Sequence, residues 1–235
     1  MADEILSFYR FQPQQDPERC ARLFFDPAQR HGLLGTVLIA PEGWNVSLAG
    51  EKEAVDSYLQ ELALEPDYCP EALEVKRMRL GGEPFRRLIY KVKPEIIRFG
   101  RKVDISEGQG TYISADQLHS MLRDHKDEIM LLDVRNAYEA AAGTFEGALT
   151  LPIEQFSDLP DALSNNELPE DRTIITFCTG GIRCEKAVAY MRTIGKNNVL
   201  QVEGGIWRYL EKYPYGFFKG KCFWFDEREE IVSIN

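Results

Sequence analysis

Ile5-Leu6-Ser7-Phe8-Tyr9-Arg10-Phe11 crowds apolar side chains into one short run, which suits a strand and is too short for a stable helix. The period then changes. Asp16-Pro17-Glu18 supplies an N-cap followed by proline at the first helical position, and Cys20, Leu23 and Phe24 recur at helical spacing before His31-Gly32 ends the run. Runs 34–40 and 45–49 flank Pro41-Glu42-Gly43-Trp44 and predict a hairpin. Residues 51–64 return to helical spacing through Ala54, Val55, Tyr58, Leu59 and Leu62, and 73–80 predict a further strand. The order βαββαβ predicts a ferredoxin-like α+β domain over 1–82, an antiparallel sheet with helices on one face.

Gly81-Gly82-Glu83-Pro84 breaks the pattern, and an extended crossover is expected over 83–111. From Tyr112 a different rhythm begins. Ser114 caps a helix through Leu118, Met121 and Leu122. Ile129-Met130-Leu131-Leu132-Asp133-Val134 reads as a strand buried on both faces. Strands are further expected at 148–153, 173–177 and 198–202, with a helix over 185–194 stopped by Gly195. Alternating strand and helix implies a parallel-sheet α/β domain, set here at 112–218 and followed by a tail, 219–235.

Bulk properties narrow the class. With 44% hydrophobic and 28% charged residues, 235 residues can build one large or two ordinary cores. Met1-Ala2-Asp3-Glu4 lacks a signal-peptide apolar core, no apolar run is long enough to span a bilayer, and five scattered cysteines do not form a disulfide framework. A cytoplasmic protein with reduced thiols and no membrane partner is expected. His31, His119 and His125 show no metal-ligand spacing, and no G-x-G-x-x-G follows a strand, so neither a metal nor a cofactor is evident. The net charge of −10 hides a local reversal: between Lys76 and Lys102, ten basic residues face only Glu83 and Glu95. Arg86, Arg87, Lys91 and Lys93 within it form either a solvated face or a phosphate-contacting stripe.

The chemistry concentrates in Thr173-Ile174-Ile175-Thr176-Phe177-Cys178-Thr179-Gly180-Gly181-Ile182-Arg183-Cys184-Glu185-Lys186. A β-branched strand stops at a cysteine, turns through two glycines and enters a helix. Free N–H groups of such a turn and of a helix start stabilise an anion. Cys178 is therefore expected as a thiolate below the free thiol pKa of about 8.5. Gly180 and Gly181 permit backbone geometry that a side chain would obstruct. Arg183 adds a positive charge, or else pairs with Glu185. Cys184 faces the same pocket as a second thiol, or fills core space. Asp133 and Arg135, at the carboxyl end of a buried strand, brace the loop, Arg135 chiefly as a structural ion pair.

Cys178-Thr179-Gly180-Gly181-Ile182-Arg183-Cys184, with Leu132-Asp133-Val134-Arg135-Asn136 before it and Val202-Glu203-Gly204-Gly205-Ile206 after it, resembles a rhodanese domain. More narrowly, the string through Lys186 resembles the bacterial oxygen-dependent tRNA uridine hydroxylases, which share the ferredoxin-like first domain and an FDxR ending, here Phe225-Asp226-Glu227-Arg228. Two positions depart from that family: the hairpin reads Glu42-Gly43-Trp44-Asn45-Val46, and the rhodanese Gly-His motif becomes Gly143-Thr144-Phe145. The resemblance implies hydroxylation of the wobble uridine at C5, with tRNA as partner and molecular oxygen as co-substrate; nothing in the residues indicates the electron donor. Rhodanese ancestry implies that Cys178 can carry a persulfide, supplied by a sulfur-donor protein. Cys178, Arg183 and Cys184 become the catalytic candidates, with Thr179, Gly180, Gly181 and Ile182 as the loop. Trp44 and Asn45 either reach an RNA base by stacking and hydrogen bonding or form a plain turn. A persulfide-carrying sulfurtransferase is the main alternative. A phosphatase fits less well, since relatives of that kind place five residues between cysteine and arginine where this chain has four. A tRNA- or protein-binding module with an idle Cys178 is the non-enzymatic alternative.

Overall fold

A computed structural model describes residues 4–65, 75–79, 85–108, 111–166, 168–223 and 231–233. The predicted 81–84 break and the 225–228 ending lie outside the described residues. The chain divides between Ile97 and Arg98 into two compact units.

The first unit runs β1 (Glu4–Phe11), α1 (Pro17–Arg30), β2 (Leu34–Ala40), β3 (Gly43–Gly50), α2 (Lys52–Leu62), β4 (Lys76–Arg79) and β5 (Leu88–Val92). Asp16 caps α1 by accepting from the Arg19 N–H at 3.0 Å. The sheet order β4-β1-β3-β2-β5 is the ferredoxin-like arrangement with one strand added. That strand corrects the sequence reading: β5 lies inside the stretch expected to be an extended crossover, and it pairs in parallel with β2 from Gly35↔Leu88 to Ile39↔Val92. The hairpin turn is also tighter than the pattern implied, because Ala40 already faces Gly43 across the ladder. Trp44 therefore belongs to β3. Its ring is 2% exposed and packs on Phe24 at 5.3 Å between centroids, inside a core with Phe8, Val46, Leu48 and Tyr58. A base cannot stack on a side chain sealed in this way. Asn45, on the opposite face of the strand, is half-buried between Tyr9 and Leu38 in register.

The second unit carries β6 (Tyr112–Ile113), α3 (Ala115–Asp124), β7 (Ile129–Asp133), α4 (Ala137–Ala142), β8 (Gly143–Phe145), β9 (Leu149–Thr150), α5 (Leu159–Asn165), β10 (Thr173–Phe177), α6 (Ile182–Thr193), β11 (Val199–Val202), α7 (Gly205–Lys212), β12 (Phe218–Phe223) and β13 (Ile231–Ser233). Ser114 and Gln117 close a reciprocal capping box at the start of α3. Strands in the order β6-β11-β10-β7-β9 form a sheet whose pairings are all parallel. The second unit also includes residues 98–108, so the expected crossover is shared between the two units. The expected tail is partly ordered structure as well: β12 pairs antiparallel with β8, Thr144 facing Lys219 and Gly143 facing Gly220. Leu118, Leu131, Phe145, Ile175, Phe177 and Tyr209 fill the core around it.

Candidate active site

Parallel register sets the site. Phe177 at the end of β10 lies opposite Asp133 at the end of β7, so both chains leave the sheet side by side at its carboxyl edge. Cys178 follows at once. The backbone then turns through Gly181, which takes φ 97° and caps α6. Of the two loop glycines it is Gly181 that adopts the left-handed region, a conformation that side chains resist. Helix α6 starts three residues earlier than the pattern predicted, at Ile182, and so carries Arg183 and Cys184 in its first turn. It is buried on almost every side, which explains why its pattern lacks a polar stripe.

Cys178 is 1% exposed. Burial alone pushes its thiol up. Opposing this are a hydrogen bond from the Cys184 thiol, the charge of Arg183, and the N–H groups of Arg183 and Gly181; together they bring it down to about 5. The Gly181 N–H lies 3.1 Å from Sγ. Cys184, also buried, is driven the other way by its burial and by the neighbouring Cys178, so it stays protonated and donates. Two thiols six positions apart thus hold opposite states, one an anion and one its hydrogen-bond donor.

Arg183 is turned away from solvent, 2% exposed. Its guanidinium makes a fork to Glu139 of α4, Nη1 to Oε2 at 2.6 Å and Nη2 to Oε1 at 2.8 Å, with both side chains at most 2% exposed. Glu185 accepts from the Tyr112 hydroxyl at 2.8 Å. Below this lies a second pair: Arg135 donates to Asp133 through Nε at 2.9 Å and Nη2 at 2.6 Å, and Nη2 also reaches the Gly143 carbonyl at 2.6 Å. Thr144, standing where the resembled motif has histidine, donates its hydroxyl to Asp133 at 2.8 Å. Asp133 and Arg135 are fully buried.

The far side of the loop is held by α7. The N–H groups of Ile206 and Trp207 donate to the carbonyls of Cys178 and Thr179 at 2.9 and 3.1 Å. With its carbonyls occupied, the loop is free to turn amides toward the sulfur. Gly205 makes this docking fit: at φ 65°, a Cβ there would lie 2.3 Å from the Cys178 oxygen.

The structure therefore brings together Cys178, Thr179, Gly180, Gly181, Ile182, Arg183 and Cys184, with Asp133 and Arg135 beneath. Arg86, Arg87, Lys91 and Lys93 belong to the other unit, exposed on or beside β5. Thr144 stood out in the sequence only as a departure from the Gly-His motif, and Glu139 and the α7 amides carried no role there. For Glu139 a signal existed, since Asn136-x-x-Glu139 is a capping-box spacing, and Glu139 does accept from the Asn136 N–H at 3.2 Å. Among the described residues, no three His, Cys, Asp or Glu side chains converge as metal ligands, and no helix is long and apolar enough to cross a membrane.

A thiolate cradled at a strand-to-helix turn of a five-stranded parallel sheet is a rhodanese-type site. The rhodanese-like domain model matches residues 114–212, and a model described as UPF0176 acylphosphatase like domain matches 4–96. A tRNA uridine(34) hydroxylase of Xanthomonas campestris pv. campestris (strain 8004) is 43% identical, the alignment covering 94% of this chain and 88% of that protein. One of Xylella fastidiosa (strain 9a5c) is 44% identical, over 94% of this chain and 87% of its own. The chain belongs to the tRNA uridine(34) hydroxylase family.

Proposed function

We propose that this chain hydroxylates uridine 34 of tRNA at C5, one atom of molecular oxygen entering the base and the other leaving as water with two electrons and two protons from an external reductant, and that Cys178 is the reacting side chain. The single observation that carries the reading is the Cys178 thiolate, held by the Gly181 and Arg183 amides and the Cys184 thiol in a chain 43% identical to a hydroxylase of that name. Cys178 acts as the nucleophile. Cys184 keeps the sulfur anionic by donating to it, and Arg183 contributes its charge while Glu139 fixes its position. Thr179, Gly180, Gly181 and Ile182 shape the cradle, and Asp133 with Arg135 holds the sheet edge on which the cradle sits. The substrate places the protein in the cytoplasm. If Cys178 works through a persulfide, a sulfur-donor protein is its second partner.

Nucleoside mass analysis of tRNA from cells with and without the gene tests this. Loss of 5-hydroxyuridine-derived nucleosides in the deletion, restored by wild type and not by Cys178→Ala, is expected. Restoration by Cys178→Ala overturns the assignment of the sulfur. Thiocyanate formation from thiosulfate and cyanide, with tRNA unaffected by deletion, replaces the whole reading with a sulfurtransferase.

A further inference from the structure

The strand added to the first sheet is an unusual edge. β5 pairs with β2 on one side and ends the sheet on the other. Residues 90–94 are exposed without interruption. Within 86–94 there are four cations, Arg86, Arg87, Lys91 and Lys93, and no acidic residue, in a chain whose net charge is −10. Between them stands Tyr90, 43% exposed. Its ring is steadied rather than buried: Phe25 of α1 meets it edge-on at 5.2 Å between centroids and 69° between planes.

Lysines and a proline on an edge strand ordinarily guard it against pairing with another chain. Lys91, Lys93 and Pro94 do that here, which argues against a protein strand as the occupant. Guarding does not account for a large aromatic side chain presented among the cations. Cations that track a phosphate backbone, with an aromatic ring on which a base stacks, are how proteins hold single-stranded nucleic acid. Strand geometry separates the two tasks. Alternation sends Tyr90 to the helix-bearing face with Leu88, which packs against the core there, and sends Lys91 to the other face.

We infer that the β5 edge is a contact surface for unpaired RNA, with Tyr90 stacking a base and Arg86, Arg87, Lys91 and Lys93 contacting phosphates. This rests on the proposed tRNA activity and identifies where the substrate is gripped, apart from the reacting cysteine.

The test uses the full chain and a transcribed tRNA whose anticodon carries uridine 34, with affinity measured over a salt series. Arg87→Gln, Lys91→Gln and Lys93→Gln together should flatten the log–log salt slope by about 2, since each phosphate contact to a single strand contributes about 0.7. Tyr90→Ala should weaken binding about tenfold with the slope unchanged, and Tyr90→Phe should restore it. Cys178→Ser should bind as wild type does. Slope and affinity unchanged in the β5 variants, while wild type binds and hydroxylates, overturn the edge as RNA surface and leave the activity standing. A β5 variant that loses affinity for a protein partner but keeps that for tRNA overturns it too. Hydroxylation lost in Cys178→Ser, with binding lost only in the β5 variants, supports both.

Discussion

The two units treat buried charge in opposite ways. In the first, the core around Phe8, Phe24, Trp44 and Tyr58 is apolar, Lys76 is the charged side chain it buries among the described residues, and ion pairs such as Arg30 with Glu61 and Lys52 with Asp56 stay toward solvent. In the second, Asp133, Arg135, Glu139 and Arg183 are sealed beneath the reacting loop as two forked pairs. Such pairs are poor stabilisers, because desolvating the charges cancels most of their attraction. Their value is directional. A guanidinium fork fixes position and angle together: Arg183 with Glu139 ties the first turn of α6 to α4, and Arg135 with Asp133 fixes the end of the neighbouring β7. Hydrocarbon packing holds both units together, and in the second the buried ions set geometry.

The largest effect should come from breaking a fork. Glu139→Ala leaves Arg183 buried without its partner and is expected to destabilise the protein by about 3–5 kcal/mol, read by urea unfolding. Replacing both residues with apolar ones of similar size should recover stability in that measurement while hydroxylation stays lost. A Glu139→Ala loss below about 1 kcal/mol would mean that the pair is solvated in solution and that the contrast between units is false.

A middle-sized effect concerns the sulfur. Alkylation by iodoacetamide should stay level as pH falls below the ordinary thiol range near about 8.5 and drop only through about 5. Cys222, which burial drives up to about 12, should remain unlabelled at neutral pH. The sign for stability follows. Folding favours the Cys178 thiolate, so this contribution is complete above the ordinary thiol pKa and is lost as pH falls toward the folded value. Cys178→Ser should flatten that limb of the stability curve.

The smallest effect belongs to the first unit. Trp44 Nε1 has no hydrogen-bond partner, so Trp44→Phe removes area and leaves a small cavity but breaks no bond, and should cost about 1–3 kcal/mol. Melting temperature checks it, and tRNA affinity should not change. A loss of affinity would return Trp44 to the RNA-binding surface.

Local chemistry made much of this legible. The N-cap at Asp16, the capping box at Ser114 and the apolar spacing of α1 and α2 are written within a few consecutive residues, and so is the cysteine loop. What escaped notice depends on partners distant in sequence. β8 is three residues long and exists because β12, some seventy residues on, lies beside it. Arg183 finds Glu139 across 44 positions. β5 was masked by its own cations, which broke the apolar run that marks a buried strand; an edge strand needs no such run. For Trp44 the pattern left a displayed ring and a plain turn both open, because strand pairing decides its face and the two-residue turn ends before it.

The grip of α7 on the carbonyls of residues 178 and 179 has a consequence for biogenesis. A chain emerging from the ribosome presents Cys178 well before Ile206 and Trp207, and until those amides arrive the carbonyls of residues 178 and 179 lack the donors that brace the turn. A truncated product ending before Gly205 therefore carries the cysteine loop without its brace.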